Sequence, residues 1–528
     1  MIITNNNNTS RKPAFGNAAA LNGVMNYLAT NQAIGASATD MGFMVIPRTA
    51  IDSTRTPEAG VETGRRELAS CLLYAGMGFF GLGAAHVVSV FSSSKKYEVP
   101  LYKINAGSSA IDSLAHSWNN SLGENRDIAS KEAKEVAVKS YLNDVFDSVS
   151  GLSGETKTSL SSNKEIKKEI VDKLSTLLMT EEDYKIAKEE KSKLVQKIIH
   201  ATGASEHLTL PNKTKEITEN GVKKFEEIKI SAGDLLDNTY AMGRTFMQDK
   251  VAAEFKNTQN ISDNKFLKSL KQFNSKKMII GIGAASAVAL AMQAVNRMMT
   301  QKKTGSAGFQ VYKDKDGKGE KAAKDNSTGF KLLKGLSAAA MAAYAFKTIG
   351  GKLKDLPKKI EFTKLMPNMN QYKFIYAVSI VGRLLAASDK NELRETTTRD
   401  FLGFTSWLVL GDLAAKRVAK YFEDHKGVKL LNCDDPKAKG FDKLMKSSVK
   451  THEELLYTDK GALGKSVKKA SKVASEQAKK ALKYLNVAQL SGYAFSGVLL
   501  GVAIPMLNKV ITDKLHEKEL EKKKSQIA

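Results

Sequence analysis

Two glycine-rich stretches carry the spacing of phosphate-binding turns. "CLLYAGMGFFGLGAAHVV", residues 71–88, contains Gly76-x-Gly78-x-x-Gly81, and "IIGIGAASAVAL" contains Gly281-x-Gly283-x-x-Ser286. In a dinucleotide fold such glycines let backbone approach a pyrophosphate at the start of a helix. That chemistry also needs a preceding strand, an acidic residue about twenty positions on and further strand–helix units. Glu98 stands at a tolerable distance, but no alternating series follows it. Both stretches lie inside long uncharged runs, where close glycines and alanines let helix backbones approach one another in lipid. Gly281, Ala285 and Ala289 form one i, i+4 stripe, Gly283, Ala287 and Ala291 another, and Gly497-x-x-x-Gly501 is a full GxxxG. The expected helix-packing positions are Gly76, Gly78, Gly81, Gly281, Gly283, Ala285, Gly497 and Gly501, with no cofactor.

The other chemical motifs fail on their spacing. Gly464-Lys465-Ser466 ends like a phosphate loop, but Asp459 stands where the loop needs glycine, so a turn is expected. Asp314, Asp316 and Asp325 hint at a calcium loop, yet Lys318 and Lys321 take a ligand and an anchor position. His452-Glu453 lacks a second histidine at zinc-protease spacing, and His86 is the one titratable group in the first apolar run. Cys71 and Cys433 imply neither a disulfide framework nor a metal site. No catalytic, cofactor or metal residue is expected, and an enzyme is disfavoured.

Charge points elsewhere. The chain carries 81 Lys+Arg against 56 Asp+Glu, a net +25, and only twelve of the cations are arginine. A lysine surplus favours loose attraction to anionic headgroups over the bidentate contacts of base recognition. Aromatic residues, at 7%, rarely interleave with the lysine runs, which disfavours nucleic acid. "KSVKKASKVASEQAKKALKYL" sets Lys468, Lys469, Lys472, Lys479, Lys480 and Lys483 against an apolar face, a helix suited to a lipid surface.

The elements that must carry these residues follow from hydropathy. Three runs, 68–94, 278–296 and 484–508, have the length of a membrane helix and charged edges. Three shorter ones, 332–349, 374–388 and 401–415, lie within a basic region, 297–415. Arg383 and Asp412 interrupt the last two, and an intramembrane ion pair between them is expected if both helices enter lipid. Residues 1–67 form a polar juxtamembrane region without the apolar core of a cleavable signal peptide. Its stretch 41–67 alternates Arg and Glu, as a cap whose charges pair or as a docking segment.

A mainly helical extramembrane domain is expected over 95–277. It contains an apolar face through Ile166, Ile170, Val171, Leu174, Leu177 and Leu178, and a helix start at Thr180-x-x-Asp183. A small β-hairpin near 216–230 turns at Asn220-Gly221, and Ser231 caps the next helix. A basic extramembrane region covers 416–483, and 509–528 is a charged tail. The fold class is thus mainly α: a multi-pass helical membrane protein with helical extramembrane regions and one small hairpin. The expected role is a membrane-embedded structural or interaction protein, its lysines facing anionic lipid or an acidic partner. Its small-residue helix faces would also permit two copies to associate. Two alternatives are a pore-forming protein that is soluble before insertion, and a soluble helical enzyme or nucleic-acid-binding protein with apolar core helices.

Overall fold

A 40-residue helix, Lys265–Thr304, runs through both halves of the molecule. Asn264 starts it by accepting the Leu267 N–H at 3.0 Å, and Gly305 ends it in the left-handed conformation at φ 71°. At 1.5 Å per residue it spans about 60 Å. The computed structural model describes residues 18–91, 96–124, 126–219, 222–309, 312, 324–364 and 367–527. The Asn220-Gly221 turn and the Asp314 and Asp316 pair lie outside them.

The first turns of the long helix bury Phe266, Leu267, Leu270 and Phe273 in the core of the 97–273 region. Trp118 stacks on Phe246 with ring centroids 5.4 Å apart, and Tyr141 meets both rings edge-on. Helices Ser108–Ser121, Lys131–Ser148, Lys164–Thr180, Lys188–Thr202 and Ala232–Phe246 surround that core. Beside them lies a four-stranded antiparallel sheet, order β2-β1-β3-β4. Its strands are β1 (Ser150–Ser153), β2 (Thr156–Ser159), β3 (Leu208–Glu219) and β4 (Val222–Ile230). The expected hairpin is therefore half of a larger sheet, with a register shift between Asn212 and Glu216. Ser231 caps the following helix through Asp234 N–H at 3.1 Å. Thr180 does not open a helix: it ends one, its hydroxyl donating backward to Thr176 O at 2.8 Å.

Beyond Met278 the long helix enters a bundle with Pro57–Ala75, Met77–Phe91, Thr328–Ile349, Met369–Ala386 and Lys390–Thr405. Gly411–Lys426 and the chain from Glu476 onward complete it. Among the described residues, two helices are long and apolar enough to cross a membrane, Lys265–Thr304 and Glu476–Lys518. The first apolar run is split at Gly76 into two helices bent by 50°, which make a third span only if taken together. Among the described residues, the helices that carry 332–349, 374–388 and 401–415 do not reach that standard. Arg383 interrupts one, and the π-helical turn Ser406–Leu410 divides another.

The two long helices depart from the pattern of a soluble amphipathic helix in carrying apolar side chains on their exteriors as well. On the first, the inward stripe holds Gly281, Ala285, Ala289, Gln293, Asn296 and Thr300, while Ile279, Val295 and Met298 face out. On the second, Asn486, Gly492, Ser496, Gly497, Asn508 and Thr512 face in, and Val498, Met506 and Leu507 face out. Small and polar side chains share the contacts with Met278, Ile282, Leu482, Leu485, Leu500 and Ile504, while further large apolar side chains cover the exterior. Water penalises such an exterior.

A second, two-stranded sheet joins β5 (Leu431–Cys433) to β6 (Ser447–Val449) in the basic region. The lysine-rich segment there is not one helix. Ser475 accepts the Ala478 N–H at 3.3 Å and starts a new helix after Val467–Val473 ends. Lys468, Lys469 and Lys472 stand on the first piece and Lys479, Lys480 and Lys483 on the second. All are exposed except Lys479, half-buried beside Glu476.

Candidate functional site

The Arg/Glu stretch at 41–67 forms the centre of the bundle. Thr56 caps the Pro57–Ala75 helix through Ala59 N–H at 3.0 Å, with Pro57 at its first position. The helix then directs Glu62, Arg66 and Glu67 inward, and Ile46–Arg55 directs Arg48, Asp52 and Arg55 toward the same interior. Glu67, with no exposed surface, accepts from Arg48 Nη1 at 3.3 Å and Arg383 Nη2 at 3.0 Å. Arg383 also donates to Ser70 Oγ at 2.9 Å and reaches Asp400 at 3.4 Å, which Arg399 Nε holds at 3.1 Å.

Two further groups flank this centre. Arg55 grips Glu395 through both nitrogens, at 2.6 and 3.2 Å, and Thr63 donates to Asp52 at 2.6 Å. Arg297 pairs with Glu392 and lies 3.4 Å from Glu62, while Arg65 donates to Asn296 Oδ1 at 2.5 Å. Guanidinium suits such buried forks better than ammonium. This explains the division of cations: most of the few arginines are inside, and the lysines cover the exterior.

Three π-helical turns meet beside this network: Asp40–Val45, Ser406–Leu410 and Leu499–Ala503. Wide turns free carbonyls from the helical ladder and occur at functional positions. Here the Leu500 carbonyl accepts from Arg48 Nε at 3.0 Å. Tyr372 donates to Asp40 Oδ2 at 2.6 Å and packs against Trp407 with ring centroids 4.8 Å apart. Trp407 borders a cavity of about 490 Å³ between the bundle and the 97–273 region. Lys373, Asp412, Tyr493 and Ser496 line it from the bundle, Glu206 and His207 from the other side. Burial pushes the Glu206 carboxyl up to about 7 against the pull of Lys364.

The arrangement corrects one expected contact. Arg383 is buried and paired, but with Glu67 and Asp400. Asp412 lies beyond the Ser406–Leu410 turn, half-exposed, and pairs with Lys416 one turn along at 2.6 Å.

The glycines divide by contact. A Cβ on Gly81 would stand 2.5 Å from the Phe362 ring and one on Gly281 2.6 Å from it. Gly497 meets the Phe43 ring at 2.7 Å and Gly501 meets Phe43 O and Pro47. Gly78 and Ala285 are buried, Gly76 sits at the bend, and Gly283 opens onto free space. Gly76 to Gly81 join two helices with no strand before them, so the dinucleotide turn has no counterpart here.

Gly464, at φ 76°, is a turn tied to Gln196 Oε1 at 2.7 Å, with Asp459 holding Gly461 and Ser475 N–H. His452 is buried against Asn486 at 2.7 Å. His86 faces outward. Among the described residues no three His, Cys, Asp or Glu side chains converge to hold a metal ion. Sequence reasoning missed the π-helical turns and the cavity. The alternating Arg/Glu stretch and the isolated Arg383 were the signals of the network. Searches with this chain against family models, curated proteins and solved structures returned no match.

Proposed function

We propose that the chain is an integral membrane scaffold, held in the bilayer by the apolar runs within the 57–91, 265–304 and 476–518 segments. It carries the 97–273 domain and a lysine-rich face against anionic lipid. The observation behind this reading is the apolar exterior of the two long helices and of Met77–Phe91. Phe79, Phe91, Ile279 and Met298 are each 64% or more exposed, while charged side chains are paired inside. Each exposed apolar Å² would cost about 25 cal/mol in water and costs nothing against acyl chains. Polar groups inside such a bundle must find partners among themselves, as the Glu67 network does. The outward Gly283, Ala287 and Ala291 stripe is the face on which two copies would pack.

Alkaline carbonate extraction of expressed protein tests the reading. Retention in the membrane pellet, with 97–273 cleaved from one side only, supports it. Release into the supernatant overturns it, and a soluble form that becomes carbonate-resistant after meeting vesicles would favour the pore-forming alternative.

A further inference from the structure

We propose that a crevice in the basic region binds a phosphate-bearing anion. It encloses about 910 Å³ between the Gly411–Lys426 helix, the β5–β6 ladder and the tip of the β1–β2 hairpin. Two contacts fix its far wall: Gly154 N–H donates to Asn432 Oδ1 at 2.6 Å, and Cys433 N–H to Gly154 O at 2.9 Å. Five cations line it, Arg417, Lys420, Lys429, Lys443 and Lys450, against two carboxylates, Glu155 and Glu423.

The carboxylates are already engaged. Glu155 pairs with Lys443, and Glu423 Oε1 accepts Leu430 and Leu431 N–H at 2.8 and 2.9 Å. Lys420 pairs with Asp424. Among the described residues, Arg417, Lys429 and Lys450 have no carboxylate within ion-pair distance. Arg417 is held over the Phe441 ring, 5.8 Å from its centroid, and both side chains line the crevice. Lys450 is the informative member: it is 8% exposed, and its backbone N–H is fixed to Leu430 O at 2.8 Å. Burial lowers the proton affinity of this amine against the pull of Glu454 and Glu423, with Lys429 adding a smaller push in the same direction as burial. A desolvated cation out of ion-pair contact with these carboxylates is costly, and an anion in the crevice would offset that cost.

The ligand class follows from the geometry. Three cations from separate segments converge on one compartment, which suits a compact multivalent anion held by an Arg fork and two ammonium groups. An extended polyanion would need a continuous basic track and stacking aromatics. Phe441 and Met445, 57% and 45% exposed, stand in the short helix at the rim and could accommodate an acyl chain. The anion is therefore a phospholipid headgroup or a free phosphate compound. The site does not depend on whether the chain crosses a bilayer.

Calorimetric titration of the purified full chain with inorganic pyrophosphate forms one arm of the test. Binding to phosphatidic acid in nonionic mixed micelles, against phosphatidylcholine, forms the other. Lys450→Gln, Arg417→Gln and the exposed Lys429→Gln are each expected to weaken binding roughly tenfold, the loss of one charge-assisted hydrogen bond. Lys168→Gln, an equal change in net charge at an exposed position outside the crevice, should leave it unchanged. An effect confined to pyrophosphate identifies a soluble ligand, and one confined to phosphatidic acid a headgroup. No binding in either arm, or equal weakening by Lys168→Gln, overturns the proposal. Lys429→Gln keeps the test decisive if the buried variant misfolds.

Discussion

Arg383 Nη2 donates to Glu67 Oε2 at 3.0 Å, joining helices whose residues stand 316 positions apart in the chain. Neither side chain is more than 2% exposed. Replacing Arg383 by Met would leave Glu67 and Asp400 buried with fewer donors and is expected to cost about 3–5 kcal/mol. Arg383→Lys should recover only part of this, because one ammonium cannot span Glu67, Asp400 and Ser70 together. Asp412→Asn, at the partner expected from sequence, should change stability by no more than about 0.5 kcal/mol. Thermal unfolding of the three variants in detergent checks the order. Equal losses at 383 and 412 would contradict the network.

Gly281 and Gly283 give a matched comparison two residues apart. Gly281→Leu forces a side chain into the Phe362 ring and the Phe80 carbonyl, 2.6 and 3.2 Å from the first added carbon. A destabilisation of about 1–3 kcal/mol, or failure to accumulate, is expected. Gly283→Leu meets nothing within 4 Å and should fold normally. If two copies pack through the outward stripe, Gly283→Leu should also shift crosslinked dimer to monomer while leaving the melting temperature in place.

His452 makes stability depend on pH. It is fully buried with Nε2 against Asn486, and burial pushes its pKa from 6.5 down to about 4. The unfolded chain binds its proton first, so the contribution is complete above about pH 6.5 and is lost as pH falls toward 4. The loss should approach roughly 3 kcal/mol. His452→Gln is expected to flatten the slope of unfolding free energy over that window. A slope unchanged by the substitution would assign the acid sensitivity to other groups.

Lys468, Lys469 and Lys472 project from the outer face of one short helix whose Val467 and Ala470 are buried. If this face rests on anionic headgroups, a triple Gln variant should lose about 1 kcal/mol per removed charge in affinity for phosphatidylserine vesicles at low salt. A soluble fragment is not needed: flotation of the full chain from micelles into preformed vesicles of graded phosphatidylserine content reads the difference. Identical flotation of both forms would remove this surface from the membrane contact.

The sequence announced what is local and withheld what is distant. The Gly281, Ala285 and Ala289 stripe was legible because helical spacing alone sets it, and Ser231 because a cap acts within three residues. The β5–β6 ladder was not, since three-residue strands carry no periodic signal. Arg383 was recognisable as a buried charge in need of a partner, but its choice between Asp400 and Asp412 is made by a π-helical turn that no hydropathy pattern records. The alternating charges at 41–67 were visible, whereas their partners at 383, 395 and 399–400 arrive from the far end of the chain. Thr180 misled because the same hydroxyl that can cap a new helix can bond back into its own.

The Lys265–Thr304 helix has a mechanical consequence. Its early turns are gripped by one core and its later turns by another, with no hinge between them. A push on the 97–273 domain would therefore be delivered to the Gln293, Asn296 and Arg297 end as a tilt of a single stiff rod, as a crank turns an axle.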